Sequence, residues 1–209
     1  MRFYLGVLAT TLGLVMFTTG TARADVGRTL DANGVLVGSF FAPVQLEIFC
    51  EPQCPYCAEM EANDGDKLAA ALASGRLAIT YRWLTFLNAR HHNDVSTGLV
   101  NALFLAADPA TAPTAYQVFV QDIYRHQSKD GPSTDAVAAM ARESGLPDVV
   151  ADRITAHEFV VDPHAVGDAN KARLKDENPE NPGTPTIYNL NTRSVVDTQD
   201  PGWPDALTN

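Results

Sequence analysis

The sequence predicts one α/β domain interrupted by a block of helices, on three observations. Residues 35–84 read strand, strand, helix, strand. From Asn93 to about Glu177 every periodic stretch has helical spacing and none alternates like a strand. Strand character then returns in a hairpin near the C-terminal end, so that a β-α-β start, a helical insert and a closing β-β pair make one unit.

Of 209 residues, the first 24 are expected to lie outside that unit. Arg2 is followed by the uncharged run FYLGVLATTLGLVMF, and Ala22-Arg23-Ala24 is the small-x-small pattern of a signal-peptide cleavage site. Residues 1–24 therefore read as a signal peptide cut before Asp25, the alternative being an uncleaved N-terminal anchor. That segment holds Arg2, Arg23 and no acid, so 15 basic side chains fall to 13 against 25 acidic ones, a net charge of −12. An acidic surface argues against nucleic acid and anionic lipid as partners.

VLVG (35–38) and VQLEIFC (44–50) are the first predicted strands. The second puts Val44, Leu46, Ile48 and Cys50 on one face and Gln45, Glu47 and Phe49 on the other. Pro52 breaks the strand. Pro55 suits a first helical turn, where its missing N–H would be unpaired anyway, and Met60, Leu68, Ala69 and Leu72 continue a helix that Gly75 stops. LAITYRWL (77–84) is the next strand. In the helical stretch, Val95 to Ala106 and Tyr116 to Tyr124 repeat with helical spacing, Ser133 caps a helix that Gly145 ends, and Pro147 and Pro163 open two more. Phe104, Tyr116, Phe119 and Tyr124 are expected in its core. Thr186–Leu190 and Ser194–Asp197 flank a turn at Asn191-Thr192-Arg193. The expected division is 25–92 with 178–209 as one domain and 93–177 as an inserted helical subdomain.

All three cysteines lie in FCEPQCPYCAEME (49–61), and Cys54 and Cys57 are spaced C-x-x-C. Cys54 falls where the strand-to-helix loop ends and Cys57 one turn into the helix, on the same face. A helix start favours the thiolate, so Cys54 is the expected attacking sulfur and Cys57 the resolving one. Zinc usually needs four ligands, and no second C-x-x-C exists; Cys50 with His91 or His92 would have to complete the set. An inert staple is the other alternative. Cys50, on the apolar face, reads as a buried free thiol, with a regulatory bridge to Cys54 or Cys57 as the sharper option. His91-His92 reads as a loop after the strand.

EIFCEPQCPYCAEM (47–60) together with GTPTIYNLN (183–191) resembles the thioredoxin superfamily, and the helical insert narrows the resemblance to DsbA-like exported thiol–disulfide oxidoreductases. It covers nearly all of residues 35–200. The resemblance implies a thioredoxin fold with an inserted α-helical subdomain, and a redox-active disulfide Cys54–Cys57 with no other cofactor and no metal. It implies a cis-proline at Pro185 facing that disulfide, and client contacts through Pro55, Tyr56, Thr184 and Pro185. Reduced or unfolded exported proteins would be the clients, and a membrane oxidant would restore the disulfide. By the same resemblance Glu47 is a candidate buried acid for the Cys57 proton, against the bland reading of a solvated strand residue. Two departures stand out. Pro55-Tyr56 replaces the Pro-His of the best-known oxidases, which predicts a milder oxidant. Thr184 resembles disulfide isomerases, so isomerase or reductase stays open beside oxidase, as does a non-enzymatic peptide-binding module.

Overall fold

A computed structural model describes residues 25–208. The expected signal segment, 1–24, lies outside them. The strands are β1 (Asp25–Arg28), β2 (Val35–Gly38), β3 (Val44–Cys50), β4 (Leu77–Trp83), β5 (Thr186–Asn189) and β6 (Ser194–Val195). They form one sheet in the order β1-β2-β4-β3-β5-β6. Among the described strands only β3 and β4 pair in parallel, which takes a crossover connection through an intervening helix. That helix is α1 (Pro55–Ala73).

Between β4 and β5 come α2 (Leu87–His91), α3 (Val95–Leu105), α4 (Pro113–Arg125), α5 (Thr134–Glu143), α6 (Asp148–Thr155) and α7 (Pro163–Glu177), and α8 (Trp203–Thr208) follows the hairpin. Five of these fill the stretch read as helical. Ser133 caps α5 as expected, its side chain accepting the Ala136 N–H at 3.2 Å, and Gly145, at φ +82°, turns the chain after it. Among the described residues no helix is long and apolar enough to cross a membrane.

β1, α2 and α8 were not expected. β1 is the four residues DVGR, defined by antiparallel pairing with β2 and not by any alternation of its own. α2, with five residues, is too short to show a period; it ends on His91, with His92 in left-handed backbone at φ 55°. Strand ends differ by one or two residues. β4 stops at Trp83, although the Leu84 N–H still reaches the Cys50 carbonyl at 2.9 Å.

The central strand β3 positions the site. Leu46, Ile48 and Cys50 point into the main core with Cys54, Cys57, Leu68 and Leu72 of the α1 side and Tyr116 and Phe119 of α4. Phe49 joins a second cluster with Leu84 and, from α7, Leu174. The two faces of one strand thus serve two different helices, α1 and α7.

Candidate active site

β3 ends at Cys50, and the chain turns through Glu51-Pro52-Gln53 to Cys54, the N-cap residue of α1. The turn closes on a hydrogen bond from the Cys54 N–H to the Glu51 carbonyl at 2.9 Å. Cys54 has extended backbone (φ −76°, ψ 120°) and makes no side-chain cap, so its sulfur is not committed to its own helix. The helical block braces the loop from outside. Gln127, just past α4, donates to the carbonyls of Pro52 (2.8 Å) and Cys54 (3.1 Å), and the Tyr124 hydroxyl donates to Glu51 O at 3.3 Å.

All three cysteines are free thiols, so this is the reduced form. Cys54 is 5% exposed, and Cys57 and Cys50 are fully buried. Cys57 sits between the other two, hydrogen-bonded to both sulfurs, and Cys50 also meets Tyr124. The Cys54 thiol donates to the carbonyl oxygen of Thr184 at 3.4 Å. The Thr184–Pro185 bond is cis. Its loop is held by Thr186 Oγ1 donating to Gly183 O at 2.7 Å and by Asn178 donating to Thr186 Oγ1 at 3.1 Å.

The electrostatics correct one expectation. Cys54 is not held low by the helix start; its thiol lies above the ordinary value. The hydrogen bond to Cys57 is the largest cause, followed by burial and the Cys57 charge. Two influences pull the other way, the Thr184 side chain and the backbone N–H of Cys57, the latter being the helix-start contribution. It is outweighed because the sulfur is almost covered and competes with a neighbour for one proton. Burial pushes Cys57 well above its ordinary value too.

Pro55 and Tyr56 lie on the rim beside Cys54, Tyr56 being 68% exposed. A groove of about 670 Å³ runs past this rim, lined by Tyr56, Met60, Thr184, Pro185 and Gln199 among others. A second groove, also about 670 Å³, lies on the opposite flank between Pro55, Gln53, His91 and Gln127. Cys54, Cys57, Pro55, Tyr56, Thr184 and Pro185 are therefore brought together.

Glu47 is not brought to them. It is buried as proposed, but its Oε1 accepts from Arg82 (Nε 2.8 Å, Nη2 2.7 Å) and its Oε2 from Arg173 of α7 (2.9 Å). It shares the Phe49 side of β3, and its hydrogen-bond and ion-pair partners are these arginines. His91 bonds Gln53 Oε1 through Nδ1 at 2.9 Å, not a cysteine, and His92 is exposed. Two acids not singled out from the sequence stand nearer. Glu61, one turn below Cys57 on α1, is buried and accepts from Gln117 (2.7 Å) and Tyr81 (3.3 Å). Burial pushes it up to about 8. The i,i+4 spacing from Cys57 was a usable signal. The other is Glu51, inside the cysteine loop itself.

A family model described as thioredoxin matches residues 31–201. The serine/threonine-protein kinase PknE of Mycobacterium tuberculosis is 29% identical over 184 residues, 82% of this chain but 31% of the kinase. The chain thus spans about a third of the length of the curated relatives it matches. Among solved structures it is similar to MdbA, a thiol-disulfide oxidoreductase from Corynebacterium diphtheriae, with a TM-score of 0.72 at 18% identity over 91% of this chain and 97% of that one. MdbA from Actinomyces oris gives 0.66 at 20% identity, covering 91% and 93%. Reduced DsbA from Mycobacterium tuberculosis gives 0.62 at 17%, covering 84% and 98%. At these identities the solved structures speak for the fold, and the family model carries the membership. It spans both C-x-x-C cysteines and Pro185: the chain belongs to the thioredoxin family, and its fold is the DsbA-like form with helices set between β4 and β5.

Proposed function

We propose that this chain is an exported thiol–disulfide oxidoreductase whose Cys54–Cys57 disulfide is donated to reduced client proteins. The observation that carries this is the sulfur of Cys54 at the start of α1, with Cys57 beneath it and the Thr184 carbonyl 3.4 Å away. A client thiolate attacks Cys54 Sγ; a client–Cys54 bond forms, the Cys54–Cys57 bond breaks, and Cys57 leaves with the electron pair and takes a proton. A second client thiolate then attacks the client sulfur, which closes the client disulfide and releases Cys54 as a thiolate. Two client thiols are oxidised and one enzyme disulfide is reduced, so no further cofactor enters. A membrane oxidant would accept the two electrons afterwards.

Cys54 and Cys57 are the proposed catalytic residues. Thr184 and Pro185 present backbone to an extended client segment, much as an open sheet edge receives a strand, and Pro55 and Tyr56 form the opposite lip. Glu47 takes a structural role, holding Arg82 and Arg173. On this reading 25–92 and 178–209 make the thioredoxin-like domain and 93–177 the inserted subdomain. Residues 1–24 direct export, by cleavage or as an anchor.

Isomerase or reductase is the second reading, favoured by the near-complete burial of Cys54 beside Cys57. Strong oxidants stabilise their reduced form as a Cys thiolate, whereas here the Cys54 thiol is pushed up. Equilibration of the mature protein with glutathione decides. A potential clearly more oxidising than about −180 mV supports donation; one near about −180 mV supports isomerisation. A disulfide that exchanges with no thiol leaves only a staple, and the proposal falls.

A further inference from the structure

Behind the Cys50–Cys54 loop lies a buried polar cluster that the exchange chemistry above does not use. Glu51 is fully buried. Its Oε2 accepts the Gln53 backbone N–H at 2.6 Å, and its Oε1 accepts the hydroxyl of Ser96 from α3. Gln53 extends the cluster, donating through Nε2 to Ser96 Oγ (2.7 Å) and Asn88 Oδ1 (2.9 Å) and meeting His91 through Oε1. Among the described residues no arginine or lysine hydrogen-bonds this carboxyl, unlike that of Glu47.

A buried carboxylate without a cation is costly, and neutral donors offset only part of that. Burial raises Glu51 while Ser96 and the backbone N–H groups of Gln53 and Leu87 lower it; the balance falls at about 7. The titratable groups around it are Cys54 and Cys57 from α1, Tyr124 from α4, whose hydroxyl is on the Glu51 carbonyl, and His91 from α2, reached through Gln53. The Cys54 charge acts on the carboxyl directly. The two residues belong to one tight turn, in which the Glu51 carbonyl accepts the Cys54 N–H.

We propose that Glu51 is a positioning residue for the exchange reaction: its negative charge opposes a thiolate on Cys54, and a proton on its carboxyl lifts that opposition. This rests on the reading above that Cys54 is the sulfur that exchanges with clients. The coupling is reciprocal, because a Cys54 thiolate that hinders ionisation of Glu51 is hindered by it equally. Reactivity of Cys54 then climbs with pH in two segments, with a shoulder where Glu51 ionises. At an effective dielectric constant of about 20, two charges within about 10 Å of each other change the thiolate fraction by about tenfold or more.

The test is alkylation of the reduced protein by iodoacetamide, mapped to Cys54 by mass spectrometry, from pH 5.5 to 8.5, for wild type and Glu51→Gln. Glutamine has the shape and hydrogen-bonding of the protonated carboxyl. We expect the two rates to converge at pH 5.5 and the variant to be about tenfold faster at pH 8.5. A ratio that is the same at every pH overturns the proposal. Cys57 and His91 are present in both proteins, so the ratio isolates Glu51. Should Glu51→Gln not fold, Ser96→Ala serves: it removes a donor that favours the ionised carboxyl, so the wild-type shoulder must move to higher pH, and an unmoved shoulder is equally fatal. Alkylation does not require disulfide donation. A wild type inert toward thiols therefore sinks the functional reading, and the profile judges Glu51.

Discussion

The sulfur of Cys54 lies 3.4 Å from the carbonyl oxygen of Thr184, although 130 residues separate them. Sheet register makes the meeting. β3 and β5 are antiparallel neighbours with Phe49 opposite Thr186, so the C-terminal end of one strand and the N-terminal end of the other share an edge. The carbonyl belongs to the backbone and survives any substitution, but the Thr184 side chain separately favours a Cys54 thiolate. Thr184→Val should therefore raise the Cys54 pKa further and slow its alkylation at pH 8 by roughly fivefold, the effect of losing one hydrogen bond worth about 1 kcal/mol. An unchanged or faster rate would show that the side chain contributes nothing.

The unequal cover of the two sulfurs fixes their order of use. Cys54 retains a little exposure, and its chain neighbours Gln53, Pro55 and Tyr56 line the two grooves, whereas Cys57 has no exposure. Cys54→Ser should abolish exchange with a reduced client. Cys57→Ser should leave Cys54 able to be captured, so that a mixed disulfide with an oxidised peptide accumulates and is visible by mass. A client adduct mapped to Cys57 in the Cys54→Ser protein would reverse the assignment.

Short-range signals made the frame of this site legible. Alternation in VQLEIFC gave β3 and its two faces, and proline and glycine marked α1 and the helices after β4. What escaped depends on distant partners. Glu61 sits in a polar helical sequence that looks solvated, and it is buried only because α4 supplies Gln117, 56 residues away, and β4 supplies Tyr81. Glu47 was recognised as a candidate buried acid, but its partners Arg82 and Arg173, the latter 126 residues away, decide what it does. The expected low pKa of Cys54 failed for a similar reason. A helix start counts for less when the sulfur is nearly covered and shares a proton with its neighbour.

Glu47→Gln should lower stability without altering chemistry. The Arg82 side chain, 6% exposed, would keep only Asp31, at 2.7 Å. Removing one member of a buried ion pair typically costs about 3–5 kcal/mol. Some of that returns here, because Glu177 already holds Arg173 at 2.8 Å and is itself pushed up to about 7, by burial first and then by the Glu47 charge. We expect a net loss of about 2–3 kcal/mol in urea unfolding, with the pH profile of disulfide exchange as in wild type. A changed profile would return Glu47 to the proton path.

Glu61 makes the sign of the pH dependence testable. Burial holds its carboxyl protonated up to about 8 in the folded chain, against 4.5 for an unperturbed glutamate. Between these values the folded state binds the extra proton, so stability falls as pH rises from about 4.5 to about 8 and levels off above. Glu51, also raised, adds a loss of the same sign that ends near 7. Glu61→Gln keeps an amide where the protonated acid bonds Tyr81 and Gln117, and it has no proton to lose. The variant should match wild type near pH 4.5 and exceed it by roughly 4–5 kcal/mol at pH 8.5. It should retain the shallower slope due to Glu51. Urea midpoints at the two pH values measure this, and a wild type that grows more stable from pH 5 to 8 would mean that Glu61 ionises in place with a partner that burial and its two hydrogen bonds do not reveal.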